Sequence, residues 1–231
     1  MVRRFDASQP ELMDRPQPVS EELELDLQNL VSLNRRFGSH RLLLRFARRW
    51  LKPGGVYKVL DLATGAGDLP RVLVSWARTQ GIQLSVDAVD FQSSTLAIAR
   101  ALSPSFPEIH WREADIRSFS AGEPYDLVTC SLALHHFSEQ DAVEILARCA
   151  ALAGRWMLVS DLERSWLTSA AIWGLTQFFY REPMTRYDAR VSAERAFSFG
   201  EMKAMGRAAG LKGFKHGRFL FARQALWMER E

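Results

Sequence analysis

The stretch VLDLATGAGDLP, residues 59–70, decides the fold class of this chain. A run of strand-forming apolar residues ends at Asp61, and Gly65 and Gly67 follow in a turn that precedes a helical segment. Glycine lets the backbone turn tightly and approach a ligand closely, and the first N–H groups of a helix are free to bind one. The stretch therefore predicts a buried strand, a ligand-binding turn and a helix in succession.

Strands and helices alternate from this turn onward. Strand-like runs occupy residues 57–63, 83–90, 108–115, 125–132 and 155–162, and helical segments occupy residues 69–80, 93–102 and 138–151. This alternation predicts an α/β fold, a doubly wound Rossmann-like parallel sheet. After a helix at residues 199–210, two strand-like segments, 211–222 and 224–230, lie close together. They predict an antiparallel terminal hairpin, which brings the sheet to seven strands.

The remaining segments predict an N-terminal extension and a lid. Residues 1–20 are polar, hold three prolines and are expected to form a loose arm. Two helices are expected after it, the second from Ser39, which is placed to cap it. Residues 1–52 are thus predicted to form an arm and helices, and residues 53–231 a ligand-binding domain. A helical lid is expected near residues 163–197, after strand five.

Composition restricts the class of protein. The 231 residues carry a net charge of only +3 and are 47% apolar, which fits a globular α/β protein and demands no nucleic acid. Six arginines cluster at residues 34–50; a solvated helix face is favoured over a surface for an anionic partner. Cys130 and Cys149 lie in apolar segments, which predicts buried, reduced thiols and a cytoplasmic protein. The longest apolar run, 14 residues, is too short for a membrane span.

Two acids follow the glycine turn at the ends of the next strands. Asp90 ends strand two, about 23 residues after the second glycine, where a carboxylate can hold two ribose hydroxyls. Asp115 ends strand three and is placed to accept a hydrogen bond from an adenine amino group. Phe91 and Ile116 follow these acids and are expected to enclose the adenine ring. An aspartate at a strand end is often only a cap or turn former, but three in succession favour a nucleoside site.

From about residue 34 to residue 161 the sequence resembles the class I S-adenosylmethionine (SAM)-dependent methyltransferases. In that family a D-x-(G/A)-x-G-x-G turn holds the methionine part of SAM, and acids after strands two and three bind ribose and adenine. The stretches DLATGAGDL, DFQSSTLAIAR and GSHRLLLR are similar to the ubiquinone and menaquinone C-methyltransferases in particular. The resemblance implies SAM as cofactor, held by Asp61, Ala63, Gly65, Gly67, Asp90, Phe91, Asp115, Ile116 and Ser131.

A dinucleotide cofactor is the competing interpretation of the same turn. A dinucleotide fold has the pattern G-x-G-x-x-G, whose third glycine lets the helix pack closely. Here Pro70 follows GAGDL and the third glycine is absent. NAD or NADP would also leave Asp115 and the terminal hairpin unexplained, so SAM is preferred.

The stretch SLALHHF, residues 131–137, ends strand four and carries two neighbouring histidines. At least one of His135 and His136 is expected to face the methyl acceptor, as a general base or a hydrogen-bonding wall, because a phenol must lose its proton when alkylated. No metal is expected, since adjacent histidines on a regular strand or helix project in different directions and share an ion only from an irregular backbone. The stretch lacks the (D/N/S)-P-P-(Y/F) motif of amino-methyltransferases.

The acceptor is predicted to be a small aromatic or quinone-like metabolite, methylated on oxygen or carbon. Its pocket is expected to lie under the aromatic segment after strand five, and Arg181, Arg186 and Tyr187 are weighed as groups that orient the substrate. An RNA or protein methyltransferase and a non-catalytic SAM-binding protein remain as alternatives, and a monomer and a homodimer are both compatible with the sequence. The aromatic residues of that segment are Trp166, Trp173, Phe178, Phe179 and Tyr180.

Overall fold

The computed structural model describes residues 2–179 and 182–230, without the side chains of residues 167, 171 and 175–179. Seven strands of this part of the chain form one sheet. They are β1 (Val56–Leu62), β2 (Gln83–Asp90), β3 (Ile109–Glu113), β4 (Tyr125–Ser131), β5 (Ala153–Leu162), β6 (Lys215–Phe219) and β7 (Arg223–Glu229).

Helices flank the sheet and precede it. In chain order they are α1 (Glu21–Arg36), α2 (Ser39–Trp50), α3 (Asp68–Thr79), α4 (Ser93–Ala101), α5 (Glu139–Leu152), α6 (Trp166–Phe179), α7 (Pro183–Arg195) and α8 (Phe199–Ala208). The predicted N-terminal helices, the helices between strands and the helical insertion after strand five are all present. Their bounds agree with the predicted ones to within three residues.

The strand order is β3-β2-β1-β4-β5-β7-β6. Strands β1 to β5 pair in parallel, and β7 runs antiparallel to both β5 and β6. The predicted doubly wound sheet with an antiparallel terminal hairpin is therefore confirmed. Strand order reverses between β1 and β4, and in open α/β sheets ligands bind beyond the carboxyl ends of the strands at that point.

Apolar residues on both faces of the sheet form the core. On the face covered by α2 and α3, Val59 and Leu127 are fully buried. On the face covered by α5 and α8, Leu60 and Val128 are equally buried. Neighbouring residues of one strand point to opposite faces, so a strand buried on both sides needs a continuous apolar run. The central strands of this sequence have that pattern.

Two helix caps differ from the sequence prediction. Ser39 is the first residue of α2 rather than its cap, because Gly38 occupies the cap position with φ +92°. Helix α4 begins at Ser93, where the sequence predicted a helical segment to begin; a serine at position 93 or 94 can cap a helix, but Gln92 occupies the cap position. Ser138, in contrast, caps α5 by accepting a hydrogen bond from the Asp141 amide.

The arginine cluster lies on the outer face of the N-terminal helices. All six arginines at residues 34–50 are exposed, while Phe46 and Trp50 of α2 pack into the core. Arg49 pairs with Glu229 at 2.9 Å. This is the arrangement of a solvated helix face.

Cys130 and Cys149 are buried free thiols, as predicted. Among the described residues, no helix has the length and apolarity needed to cross a bilayer.

Candidate functional site

The glycine turn follows β1 directly and is built around a buried carboxylate. Gly65 and Gly67 have φ of +54° and +69°, and Ala63 also adopts a left-handed backbone, with φ +55°. Asp61 accepts hydrogen bonds from the hydroxyls of Thr64 (2.7 Å) and Thr129 (2.6 Å). Burial raises the pKa of Asp61 to about 6 although both hydroxyls stabilise its charge. These bonds fix the end of β1 relative to β4 and so shape the turn.

Asp90, at the end of β2, lies against the same turn. Its carboxylate accepts hydrogen bonds from the Gly65 amide (2.9 Å) and the Gln92 amide (3.1 Å). Burial raises its pKa despite these two donors. The structure therefore brings together the turn and the acid that were predicted to bind one ligand.

Asp115 lies at the third strand end, beyond β3, and is paired with a neighbour. Arg117 donates to it from its backbone amide at 2.8 Å and from its guanidinium at 2.5 Å. This hydrogen bonding lowers the pKa of Asp115, so the carboxylate is ionised. Phe91 is 52% exposed and Ile116 is buried. Asp115, Phe91 and Ile116 all line the cavity described next, together with Arg117.

A cavity of about 780 Å³ opens beyond the carboxyl ends of the strands. This volume lies in the range of small-molecule sites, about 300–1,000 Å³. Ser131 and both histidines lie on its wall, next to the glycine turn. Its apolar lining comes from distant parts of the chain, which are Phe5, Leu27, Leu30, Val31, Phe37, Ile172 and Phe221. Of the predicted site residues, Asp61, Ala63, Gly65, Asp90, Phe91, Asp115, Ile116, Ser131, His135 and His136 line it.

Gly67 plays a different part in the turn. A Cβ added there would lie 2.4 Å from the ring of Trp111, whereas one added at Gly65 would meet no atom of the described residues within 4 Å. Gly67 is thus needed for packing as well as for its backbone conformation. Gly65 leaves an open face on the cavity side of the turn.

The two histidines lie side by side, which the sequence analysis did not predict. Residues Leu134–His136 form one 3₁₀ turn, and the ring centroids of His135 and His136 are 4.3 Å apart. The expectation that neighbouring histidines diverge holds for regular strands and helices, and it is wrong for this turn. The side chain of His135 is 3% exposed and that of His136 is 18% exposed.

Each histidine is held by its own carboxylate. His135 Nδ1 lies 2.6 Å from Asp161 Oδ1, and His136 Nδ1 lies 2.5 Å from Asp14 Oδ2. Burial lowers the pKa of His135 against the attraction of Asp161, so its ring is neutral near pH 7. For His136, burial is outweighed by Glu11 and Asp14, which raise its pKa to about 10. Burial raises the pKa of Glu11 to about 8.

The N-terminal arm is packed into this site, so the prediction of a loose arm is wrong. Glu11 is 2% exposed. The amides of Leu12 and Met13 donate to the carboxylate of Asp188, at 2.7 and 3.0 Å. Gln92 donates to the Met13 carbonyl at 2.8 Å. Side chains from α7 and from the end of β2 thus satisfy the hydrogen-bonding groups of the arm's backbone. The sequence of the arm has no apolar pattern from which this packing could be predicted.

Within the described side chains of the insertion, the wall of the cavity is not the predicted aromatic roof. Trp166 and Trp173 are 75% and 54% exposed, and the described side chains of α6 that line the cavity are Thr168 and Ile172. From α7, the lining includes Ser192 and Arg195. The spacing of apolar residues in α6 did not predict which face of the helix lines the cavity.

Arg181, Arg186 and Tyr187 were weighed as groups that orient the substrate. Within the described part of the chain, Arg186 and Tyr187 do not line the cavity. The side chains of Phe178, Phe179, Tyr180 and Arg181 lie outside the described residues.

Glu11 and Asp14 are site residues that sequence reasoning missed, because they lie in a polar, proline-containing segment. Asp68, at the start of α3, was missed as well. It lies 2.6 Å from His40 Nε2 and accepts a hydrogen bond from Asn34 at 3.3 Å. Its position directly after the glycine turn was a local signal from which Asp68 could have been predicted as a site residue. These contacts tie the first two helices to the turn.

Residues 59–154 match the family model described as a methyltransferase domain, the stretch that runs from the glycine turn to the start of β5. That match covers less than half of the chain and shows that this stretch is similar to methyltransferase domains. Over 79 residues the chain is 40% identical to the 2-phytyl-1,4-naphtoquinone methyltransferase of Thermosynechococcus vestitus. That match spans 34% of this chain and 34% of the relative, about a third of its length.

Solved structures share the fold of the methyltransferase domain. Human N-acetylserotonin methyltransferase, solved in complex with SAM, superposes with a TM-score of 0.65 over 91% of this chain and 56% of that one, at 16% identity. Magnesium protoporphyrin IX methyltransferase from Synechocystis PCC 6803, with bound SAH, gives a TM-score of 0.55 over 91% and 84%, at 17% identity. At these identities the likeness concerns the fold.

Proposed function

We propose that this chain is a SAM-dependent methyltransferase that methylates a small aromatic or quinone-like acceptor on oxygen or carbon. One observation carries the proposal. Asp61, Gly65 and Asp90 meet at the switch point of the sheet, on the wall of a cavity large enough for a cofactor and a small acceptor.

The residues at the glycine turn fit the cofactor. The open face of Gly65 offers room for a ligand that approaches the backbone closely. The carboxylate of Asp90 is buried beside it and accepts hydrogen bonds, as a ribose diol requires. Phe91, Asp115 and Ile116 are assigned to the adenine, and Ser131 lies between these groups and the histidines along the wall. When bound, SAM supplies a methyl group activated by its sulfonium.

An apolar acceptor is supported by the lining of the rest of the cavity. Phe5 from the arm, Leu30 from α1 and Phe221 from the terminal hairpin are apolar groups on this wall. The 40% identical relative acts, by its name, on a phytyl naphthoquinone. Because that match covers a third of each chain, the acceptor of this protein is proposed only as a class. The helices α6 and α7 are assigned as the lid of residues 163–197.

The histidines are assigned to the reaction at the acceptor. Asp161 accepts from His135 Nδ1, which leaves the Nε2 lone pair of the neutral ring free, 3.7 Å from a carboxylate oxygen of Glu11 on the wall of the cavity. Such a nitrogen can take the proton of a phenol as it is alkylated. If replacing both His135 and His136 leaves turnover at neutral pH intact, neither is the base.

Methyl transfer to small molecules is preferred over the two alternatives. The exposed arginines of α1 and α2 lie on the outer face of the helices, partly in ion pairs, as in an ordinary solvated surface. The intact turn and acids favour turnover over mere SAM binding. Two buried free cysteines support a reducing compartment, and we assign the protein to the cytoplasm.

Calorimetry of SAM binding tests the cofactor site. Asp90→Ala should weaken SAM binding at least tenfold, about 1.4 kcal/mol. Glu113→Ala, which removes an exposed carboxylate at the end of β3, should leave it unchanged. An Asp90→Ala variant with wild-type affinity would overturn the ribose assignment.

Transfer of labelled methyl to a panel of naphthoquinones and phenols tests the acceptor class. SAM binding without transfer to the panel would favour a non-catalytic protein, and transfer to bulk RNA an RNA enzyme.

A further inference from the structure

Three metal-ligating side chains converge where the arm meets the histidine turn. Nε2 of His135 lies 3.7 Å from one carboxylate oxygen of Glu11, and Nε2 of His136 lies 4.0 Å from the other. One ligand atom from each of the three residues lies within 4.8 Å of the other two. All three residues line the cavity.

The far side of each imidazole is already occupied by a carboxylate. Asp161 binds Nδ1 of His135, and Asp14 binds Nδ1 of His136. In metal centres the ligating histidine commonly gives its other ring nitrogen to a carboxylate, which fixes the ring and directs the free nitrogen at the ion. Here two independent carboxylates orient two rings toward one shared point.

The spacing needs only a small contraction to accept an ion. Bonds of about 2.0–2.2 Å from one metal to imidazole nitrogen and carboxylate oxygen place the ligand atoms roughly 3 to 3.5 Å apart. The distances of 3.7 and 4.0 Å exceed this range by about 1 Å at most, and the 4.8 Å within which all three ligand atoms lie exceeds it by at most about 2 Å. Glu11 is held in place by the hydroxyl of Ser192, which donates to Oε1 at 2.8 Å.

We propose that Glu11, His135 and His136 form a binding site for one divalent transition-metal ion. Two imidazoles and one carboxylate suit zinc, iron(II) or cobalt(II), and the hard ions calcium and magnesium prefer oxygen ligands. The expectation of no metal rested on divergent histidines, and the 3₁₀ turn removes that premise. Three protein ligands leave at least one coordination position for a fourth group, and the cavity borders the site.

The location gives the ion a role that rests on the proposed function. With the ion bound, the Nε2 lone pair of His135 is a metal ligand, so the ion replaces His135 as the group that helps the acceptor oxygen lose its proton. An acceptor bound in the cavity through a phenol or hydroxyquinone oxygen would reach the remaining coordination position. Such an ion acts as a Lewis acid and lowers the pKa of the oxygen that it binds. The metal site itself depends on no property of the cofactor site. Its existence and the methyl transfer are therefore testable apart.

The competing interpretation is a metal-free cluster of ion pairs that only fastens the arm. The two interpretations differ in what purified wild-type protein binds after removal of metals by a chelator and dialysis. Zinc is titrated against a chromophoric chelator, and cobalt(II) is followed by its visible absorption. We expect one zinc per chain and d–d bands of a four- or five-coordinate cobalt(II) centre. A wild-type chain that binds no zinc above the background of His135→Ala overturns the proposal.

Variants locate the site. Glu11→Gln keeps the size of the side chain and lies in the arm, outside the apolar core. This variant should therefore fold even in the case that His135→Ala does not. Both changes should weaken zinc binding at least tenfold, and His110→Ala, an exposed histidine on β3, should not. Wild-type zinc affinity in Glu11→Gln overturns the assignment. SAM is titrated into the same metal-free samples. SAM binding without zinc binding contradicts the metal site alone, and zinc binding without SAM binding contradicts the proposed function alone.

Discussion

Replacing Gly65 by alanine tests whether the open face of the glycine turn is the cofactor cradle. Gly65 has φ +54°, and an L-residue in a left-handed backbone costs about 1–2 kcal/mol. The added Cβ would meet no atom of the described residues within 4 Å, so backbone strain is the whole cost within the protein. For a chain of this size, 1 kcal/mol lowers Tm by about 2–4 °C, which predicts a decrease of about 2–8 °C.

Gly65→Ala should weaken SAM binding in addition to lowering the stability of the fold. The new methyl group enters the space on the cavity side of the turn, beside the Asp90 carboxylate that accepts from the Gly65 amide. A ligand that contacts the backbone there has to move away from it. We expect the Kd for SAM to rise at least tenfold, which corresponds to about 1.4 kcal/mol.

Gly81→Ala is the matched control for backbone strain. Gly81 has φ +64°, an added Cβ would likewise meet no atom of the described part of the chain within 4 Å, and the residue lies before β2, at the opposite end of that strand from Asp90. Its Tm should fall by about as much as that of Gly65→Ala, with unchanged SAM affinity. Thermal denaturation and calorimetry well below the lowest Tm measure the two quantities.

Two outcomes would refute the assignment. Wild-type SAM affinity in Gly65→Ala would mean that the open face does not receive the cofactor. An equal loss of affinity in Gly65→Ala and Gly81→Ala would trace the effect to stability rather than to contact.

Two further predictions concern the packing of α7. Burial raises the pKa of Asp26 to about 7, so the folded state binds an extra proton and the free energy of unfolding should fall from pH 4 to pH 7 by a few kcal/mol, at about 1.4 kcal/mol per pKa unit. Asp26→Asn should make this pH dependence less steep in denaturant titrations, while buried Glu11 and Asp61 keep contributing to it; an unchanged pH slope would contradict the prediction. Asp188→Ala removes the acceptor of the Leu12 and Met13 amides, and hydrogen bonds to a charged group are worth about 1.5–3 kcal/mol each. Amide exchange of the arm, followed by mass spectrometry, should accelerate at least tenfold, and unchanged protection would mean that the arm is held elsewhere.

Local signals were sufficient to predict the sheet and the meeting of the glycine turn with Asp90. A buried parallel strand needs an apolar run, and a strand-to-helix turn with φ above zero needs glycine or a tolerant residue. Both requirements are met within a dozen residues around Asp61. Because parallel strands end at the same edge of the sheet, acids at the ends of β1 and β2 had to lie close together. The 2.9 Å bond between Asp90 and Gly65 follows from that rule.

The acceptor side was not predictable in the same way. Its geometry depends on a 3₁₀ turn of three residues, which places the rings of His135 and His136 4.3 Å apart. No periodicity exists in so short a segment. The inward face of α6 could not be read either, because its sequence is apolar nearly all round.

The arm shows why a polar segment can be an ordered part of a site. Residues 1–20 have no apolar stripe, so hydrophobic burial cannot order them along a helix or strand face. Order comes instead from long-range polar contacts: Asp188 binds two amides of the arm, and Asp14 binds His136 across 122 residues of sequence. Each contact leaves a buried polar group unsatisfied if the arm departs, which costs about 1–3 kcal/mol per group. Glu11 thereby reaches the histidines only in the docked arm, so the part of the cavity that we assign to the acceptor forms together with the wall that closes it.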